Sequence, residues 1–471
     1  MEKKRLWVPS VKRVHCLGIG GIGVSAVAEL LCRRGMRISG SDMAEGANTR
    51  RLQALGISVR IGHSEEVPVV DAAIYSSAVS ASNPEFAALV RQGVPLWRRG
   101  DVLADLMRDY QAIAVAGTHG KTTTSGLLSH TLRVAGMDPS FALGGICRGM
   151  DSPAYLGKGP VFVAEADESD GSFLAMSPWG AIITNIDSDH LETYAGSFER
   201  LQAAFQQFVA GLSVDGCLVV CADDPVLQTL RTQFTGACSY TYGFSEAADY
   251  HIVESCAMGL SMRFVVRSPD GRMRELTLGI PGRHNVLNAT GVLAICDQLN
   301  VPDDKIREAF RSFAGMGRRF EQKGWMQLPA GGQLRVLEDY GHHPTEIRAT
   351  LSAVREAFPG IPVGFVFQPH RYTRTRDLMS EFSKVLAEAD TLVLLDIYSA
   401  GETPLEGVNS AILWNTIGFS EKQGCYLSDT ATLRPVLQQL WDTQPAGVVI
   451  FQGAGSVGCL ANKIVDQFPP L

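Results

Sequence analysis

Ala116-Gly117-Thr118-His119-Gly120-Lys121-Thr122-Thr123-Thr124 joins an apolar run, Gln111–Ala116, to a segment of helical spacing that starts at about Thr122. A buried strand entering a glycine turn and then a helix is the unit of a parallel α/β sheet. The turn is also a phosphate seat, because free N–H groups and the positive end of the helix dipole converge there. Gly120-Lys121-Thr122 matches the close of a P-loop. Gly117, however, stands nearer to Gly120 than G-x-x-x-x-G-K-[ST] requires. In such a loop the backbone from Gly117 through Thr118 and His119 to Gly120 cradles phosphates. Lys121 pairs with the β- and γ-phosphates, the Thr122 hydroxyl ligates Mg2+, and Thr123 continues the first helical turn.

The same strand–helix rhythm runs outward in both directions. Upstream, Arg13–Leu17, Arg37–Ser41 and Ala72–Tyr75 read as strands and Val24–Arg34 as a helix. Downstream, Val161–Ala164 and Ala181–Thr184 belong with the phosphate turn. A third series comprises Leu334–Leu337, Val363–Phe367, Thr391–Leu395 and Val448–Phe451. This predicts an α/β protein with three sheets and domains over 1–110, 111–317 and 318–471. A flexible basic stretch, Gly315 to Arg319, forms the second joint.

Two further patterns carry chemistry. Gly18-Ile19-Gly20-Gly21-Ile22-Gly23 fits G-x-G-x-x-G between a strand and a helix, with Asp42 ending the next strand. Glycines let the backbone approach a pyrophosphate, and Asp42 can accept a hydrogen bond from a ribose hydroxyl. NAD and any other nucleotide diphosphate fit equally well. Glu165-Ala166-Asp167-Glu168-Ser169-Asp170 and Thr184-Asn185-Ile186-Asp187-Ser188-Asp189-His190 each end a buried strand, so they gather at the carboxyl edge with the phosphate turn. Mg2+ takes hard oxygens and substrate phosphates. Glu165 is therefore the first metal ligand and His190 a candidate at a second ion, with a structural histidine as the alternative. Asp167, Glu168 and Asp170 read as solvated or capping.

Composition excludes other classes. The net charge is -7, and nucleic-acid binding needs a basic face. Ten dispersed cysteines without a C-x-x-C pair suit free thiols in a reducing cytosol. Lys3, Lys4 and Arg5 are followed by Pro9, Lys12 and Arg13 before any apolar run, so no signal peptide is expected. No stretch is apolar for long enough to span a membrane. The expected location is the cytoplasm, and the oligomeric state stays open between monomer and homodimer.

Taken in order, these blocks resemble the Mur ligase family across nearly the whole chain. Further blocks carry the resemblance: Gly282-Arg283-His284-Asn285-Val286-Leu287-Asn288-Ala289, Gly317-Arg318-Arg319-Phe320-Glu321, Asp339-Tyr340-Gly341-His342-His343-Pro344-Thr345-Glu346 and Gln368-Pro369-His370-Arg371-Tyr372-Thr373-Arg374-Thr375. The resemblance implies a Rossmann-like UDP-sugar domain, a central ATPase domain of P-loop type and a Rossmann-like C-terminal domain that brings the amino acid. It turns the first glycine motif into a UDP site, with Gly20, Gly21, Gly23, Asp42, Ser76 and Ser77. It places His284, Asn285 and Asn288 by adenine and ribose, and Arg319 at the γ-phosphate. Tyr340, His370, Arg371 and Arg374 become the amino-acid pocket.

Within the family the resemblance is to the alanine-adding branch. The carbamylated lysine of later-acting members is missing from Leu201-Gln202-Ala203-Ala204-Phe205. The implied reaction is ATP- and Mg2+-dependent ligation of L-alanine to the carboxylate of UDP-N-acetylmuramate through an acyl phosphate, releasing ADP and phosphate. His343 or His342 is the candidate base for the amine. Val24 and Ala26 stand where methionine and glycine are usual, and Ser456 where aspartate is usual. A ligase that attaches a preformed tripeptide is the main rival, because its motifs are nearly the same. A dehydrogenase leaves the phosphate turn unexplained, and a non-catalytic nucleotide module leaves Lys121 and Glu165 idle.

Overall fold

The computed structural model describes residue 6 and residues 10–189, 191–420, 423–444 and 446–466. Its strands form three sheets. The first contains β1 (Arg13–Leu17), β2 (Arg37–Asp42), β3 (Ser58–Ile61), β4 (Ala72–Tyr75) and β5 (Leu96–Arg98), in the order β3-β2-β1-β4-β5. All neighbours are parallel. β4 is a continuous apolar run, and β1 is apolar apart from Arg13 and His15, because helices cover both faces of a parallel sheet. Val14, Cys16, Leu17, Ala72, Ala73 and Ile74 are all buried. The order reverses between β1 and β4, so the crevice for a ligand opens beyond their carboxyl ends. Helix α1 (Ile22–Arg33) begins at Ile22, ahead of the expected Val24, with Gly21 as its N-cap.

The second sheet is built around β6 (Gln111–Ala116), β7 (Ser140–Ala142), β8 (Ala154–Tyr155), β9 (Val161–Glu165), β10 (Gly180–Ile183), β11 (Cys217–Cys221) and β12 (Cys238–Gly243). Three further strands, β13 (Tyr250–Met258), β14 (Ser261–Arg267) and β15 (Met273–Leu278), extend it past β12. β6 lies between β10 and β9, parallel to both. The turn after β6 therefore sits between the chain leaving β9 at Glu165 and the chain leaving β10 at Ile183.

The third sheet runs β16 (Glu321–Gln327), β17 (Gln333–Asp339), β21 (Ala446–Gln452), β18 (Val363–Phe367), β19 (Thr391–Leu395) and β20 (Gly424–Leu427) in spatial order. Only β16 is antiparallel to its neighbour. The pleat sends alternate residues to opposite faces. Val336, Val366 and Phe451 thus join one core with Trp441, while Leu337, Phe365 and Ile450 join the other with Phe382. β17, β18 and β21 end together at Asp339, Phe367 and Gln452, and the polar loops gather at that edge.

The chain forms two compact units. One holds the first two sheets, reaching Glu254 and including Phe264–Thr277 and Leu287–Ala314. The other holds Ser255–Arg263, Leu278–Val286 and the chain from Gly315, with the third sheet. The basic stretch expected to be a flexible joint is tied down within this second unit. Arg318 Nε donates to Glu338 Oε1 at 2.7 Å, and its Nη2 donates to the carbonyls of Gly453 and Gly455.

Candidate active site

The phosphate turn is held in shape by its neighbours. Gly117 has φ +123°, and a Cβ there would strike Thr184 Oγ1. Gly120 caps α2 (Lys121–Val134) at φ +85°, and a Cβ there would lie 2.8 Å from Asn288 Oδ1. The chain leaving β10 pins the turn: Asn185 Oδ1 accepts His119 N–H at 2.9 Å, Thr184 Oγ1 donates to His119 O at 2.6 Å, and Asp187 N–H donates to Thr118 Oγ1 at 2.9 Å. His119 Nε2 lies 3.0 Å from Asp187 Oδ2. The Thr123 side chain is buried on the first turn of α2.

Lys121 Nζ donates to Gly117 O at 2.7 Å, to Thr118 O at 3.1 Å and to Glu168 Oε1 at 2.9 Å. Glu168 was expected to be solvated or capping, but its side chain is buried and pairs with the lysine. Burial pushes its carboxyl up to about 7, against the opposing pull of Lys121. Asp170 is neither solvated nor the N-cap of the turn that follows, which is Gly171: its Oδ1 accepts Ser172 N–H at 2.9 Å and its Oδ2 accepts from Arg99.

Thr122 Oγ1 donates to Glu165 Oε1 at 3.1 Å, and Glu165 Oε2 accepts Gly144 N–H at 2.9 Å. Burial raises the Glu165 carboxyl above its usual range, and Lys121 offsets this only in part. A half-buried carboxylate and hydroxyl oxygen that face each other suit a hard cation. His190 lies outside the described residues.

A cavity of about 240 Å³ connects this edge to the first sheet. Gly21, Gly23, Ser76 and Ser77 line it on one side, and Glu165, Asp167 and Asp170 on the other. Gly20 and Asp42 serve the turn itself: Asp42 Oδ2 accepts Gly20 N–H at 2.8 Å. Arg99 also lines the cavity and was missed in the sequence. Its Nη2 donates to Asp170 Oδ2 at 3.3 Å and to Ser172 Oγ at 3.2 Å, and a Cβ on Gly23 would lie 2.7 Å from its Cδ. The available signal was a basic residue directly after a strand, Leu96–Arg98, at a carboxyl edge.

The second unit gathers aromatic and cationic groups. The Arg318 and Arg319 guanidinium carbons lie 4.8 and 5.2 Å from the Tyr340 ring centre. Tyr340, His342, His370 and Tyr398 follow one another at ring distances of 5.6, 5.7 and 5.6 Å. Arg374 is buried with Nη1 3.4 Å from His370 Nδ1, and Arg371 N–H donates to Tyr398 O at 2.8 Å. Burial, reinforced by His342 and Arg374, pushes His370 down to about 3, so its imidazole is neutral. Arg319 Nη1 donates to Glu346 Oε1 at 3.1 Å. His343 is the N-cap of helix α3 (Pro344–Ala357). The two oxygens of Asp339, for which the sequence suggests no role, accept Phe320 N–H and Gly341 N–H at 2.9 and 2.8 Å. Ser456 pairs with Gln368 at 3.2 Å. His284 and Asn285 belong to this unit, whereas Asn288 belongs to the first, beside the phosphate turn.

Three family profiles match in sequence: Mur ligase family, catalytic domain, over residues 13–111; Mur ligase middle domain over 115–296; and Mur ligase, glutamate ligase domain, over 318–455. The chain belongs to the Mur ligase family. Among Mur ligases it is 47% identical over 468 residues to a UDP-N-acetylmuramate–L-alanine ligase of Coxiella burnetii (strain CbuG_Q212), covering 97% of this chain and 98% of that one. The crystal structure of a UDP-N-acetylmuramate–alanine ligase from Thermotoga maritima superposes with a TM-score of 0.81 at 31% identity, covering 96% of this chain and 98% of that one. A murein peptide ligase from Psychrobacter arcticus 273-4 shares the Mur ligase fold, with a TM-score of 0.70 at 21% identity over 97% of this chain and all (100%) of that one. Among the described residues no helix is long and apolar enough to cross a membrane.

Proposed function

We propose that this chain is an ATP-dependent, ADP-forming ligase that joins L-alanine to the carboxylate of UDP-N-acetylmuramate, making a peptidoglycan precursor in the cytoplasm. One observation carries the reading. A single cavity is lined by the first sheet's glycine turn with Ser76 and Ser77 and by the carboxylates beside the phosphate turn. A nucleotide sugar seated on the former directs its acid towards a nucleotide triphosphate seated on the phosphate turn beside the latter. The identity with alanine-adding ligases supports the choice of amino acid.

The domains in this reading are 1–110 for the UDP-sugar, 111–317 for ATP and 318–471 for the amino acid. Gly20, Gly21, Gly23, Asp42, Ser76 and Ser77 serve the UDP-sugar. The turn from Gly117 to Thr123, with His284, Asn285 and Asn288, serves ATP. Thr122 and Glu165 would hold Mg2+, which when bound draws negative charge from the phosphates. His190 is retained as a candidate for a second ion.

A carboxylate is a poor acyl donor at neutral pH, so the muramate oxygen first attacks the γ-phosphorus of ATP. Lys121 and Arg319 are the cations that neutralise charge building on the transferred group. The alanine amine then attacks the acyl phosphate, and phosphate leaves from a tetrahedral intermediate. Tyr340, His370, Arg371 and Arg374 form the alanine pocket, where guanidinium forks suit its carboxylate. Placing the amine beside the acyl phosphate supplies about 7–11 kcal/mol at best. The amine must arrive neutral, and His342 and His343 are the candidate proton acceptors.

The test is phosphate release from ATP and Mg2+ with UDP-N-acetylmuramate, comparing L-alanine with L-Ala-D-Glu-diaminopimelate tripeptide. Release with alanine is expected. Release with the tripeptide alone would replace the alanine pocket and keep the ATP site.

A further inference from the structure

The mechanism uses Lys121 and leaves its buried partner, Glu168, without a role. An ammonium has three N–H donors. Those of Lys121 meet Gly117 O, Thr118 O and the Glu168 carboxylate, whose Oε2 lies 2.8 Å away. A phosphate oxygen that pairs with this ammonium must displace one of the three.

The partners differ in kind. Gly117 and Thr118 belong to the turn that carries the lysine. Glu168 belongs to the separate segment after β9 and is anchored through its backbone: Tyr194 Oη and Gly171 N–H donate to its carbonyl at 2.6 and 3.0 Å. The Glu168 side chain is 1% exposed, so it cannot follow the lysine and has little water to replace it. It is also the only one of the three partners that can carry a full charge.

We propose that Glu168 is a positioning residue that competes with the nucleotide's phosphates for Lys121 and thereby sets nucleotide affinity. This rests on the phosphate-turn reading above. A buried carboxylate that loses its cation is destabilised, and that free energy is subtracted from phosphate binding. Glu168→Gln keeps the shape and a hydrogen-bond acceptor for Lys121 while removing the charge.

The experiment is a double-mutant cycle on the full chain. Calorimetry gives the Kd of a non-hydrolysable ATP analogue with Mg2+ for wild type, E168Q, K121M and the double variant. E168Q is expected to tighten binding roughly tenfold, and the K121M background to abolish that gain. KM for ATP should fall in E168Q while KM for alanine stays put, a split that a general loosening of the fold does not produce. Equal tightening with and without Lys121 would mean simple charge removal and overturn the proposal. Unchanged or weaker binding in E168Q would overturn it too. If K121M leaves nucleotide binding untouched, the phosphate-turn reading itself fails, which is a distinct result. Glu168→Asp, which keeps the charge but withdraws it from the ammonium, covers the case where E168Q does not fold. Tightening is expected in E168D, and its absence would refute the competition.

Discussion

Lys121 is surrounded by two carbonyls and a carboxylate, so its side chain is fixed before it is asked to meet a phosphate. Replacing it with methionine keeps the length of the stem and removes the charge. Phosphate release should fall about 10²–10³-fold, the usual scale for one preorganised electrostatic contact, with unchanged circular dichroism. Gly117→Ala tests the turn itself. Its φ of +123° disfavours any Cβ, and the added methyl meets Thr184. We expect a lower Tm and a raised KM for ATP in the same variant. The neutral state of His370 gives a further expectation. Burial and the neighbouring cations hold it at about 3, so His370→Asn should leave the acid limb of the pH–rate profile where it was. A shift of that limb would show that His370 titrates during turnover.

At the scale of elements, two helix starts carry part of the site. Asp224 caps helix Pro225–Arg231: its Oδ1 accepts Val226 N–H and Leu227 N–H, while Oδ2 accepts Ile186 N–H at 2.9 Å. One carboxylate thus closes a helix and steadies the segment that pins the phosphate turn. Asp224→Ala should cost about 1 kcal/mol in stability, read from denaturant unfolding, and also raise KM for ATP. His343 is the comparable case in the third sheet. It caps α3, and Glu346 completes the capping box from the other side. His343→Ala should lose about 0.5–2 kcal/mol through the cap alone. A base role demands more: the amide step must slow while nucleotide binding stays intact. Normal turnover in His343→Ala and in His342→Ala would remove both from the mechanism.

For the whole molecule, the first sheet carries a buried ionic cluster that the catalytic reading does not use. Glu85 is fully buried, with His15 Nε2 and His63 Nδ1 at 3.0 and 2.8 Å from its oxygens and Ser41 donating as well. Burial alone would raise its carboxyl, but hydrogen bonds from His15, Ser41 and His63 outweigh that and leave it at about 2. A depressed folded value stabilises the protein above the unfolded value and loses that contribution as pH falls through the folded one. From about 4.3 down to about 2, roughly 3 kcal/mol should therefore disappear. Unfolding midpoints across that pH range check this, and Glu85→Gln should flatten the acid limb while lowering stability at neutral pH.

Strand identity was legible along the chain because a parallel sheet covered on both faces demands largely apolar runs: Val363–Phe367 has no polar side chain, Gln111–Ala116 has one only at its first residue, and Arg13–Leu17 is interrupted by His15 alone after Arg13. The phosphate turn was legible for a local reason: glycines at positive φ, a lysine and a threonine at a helix start are set by neighbours in sequence. What lay beyond the sequence is the set of long-range pairings. Only strand order puts β6 between β9 and β10, and so brings Glu168 under Lys121 and Asn185 onto His119. Arg99 reaches the cavity because β5 lies beside β4 and its helix is thereby aimed at the acids after β9. A charged residue in a polar loop reads as solvated until packing removes its water, and that removal belongs to the tertiary structure.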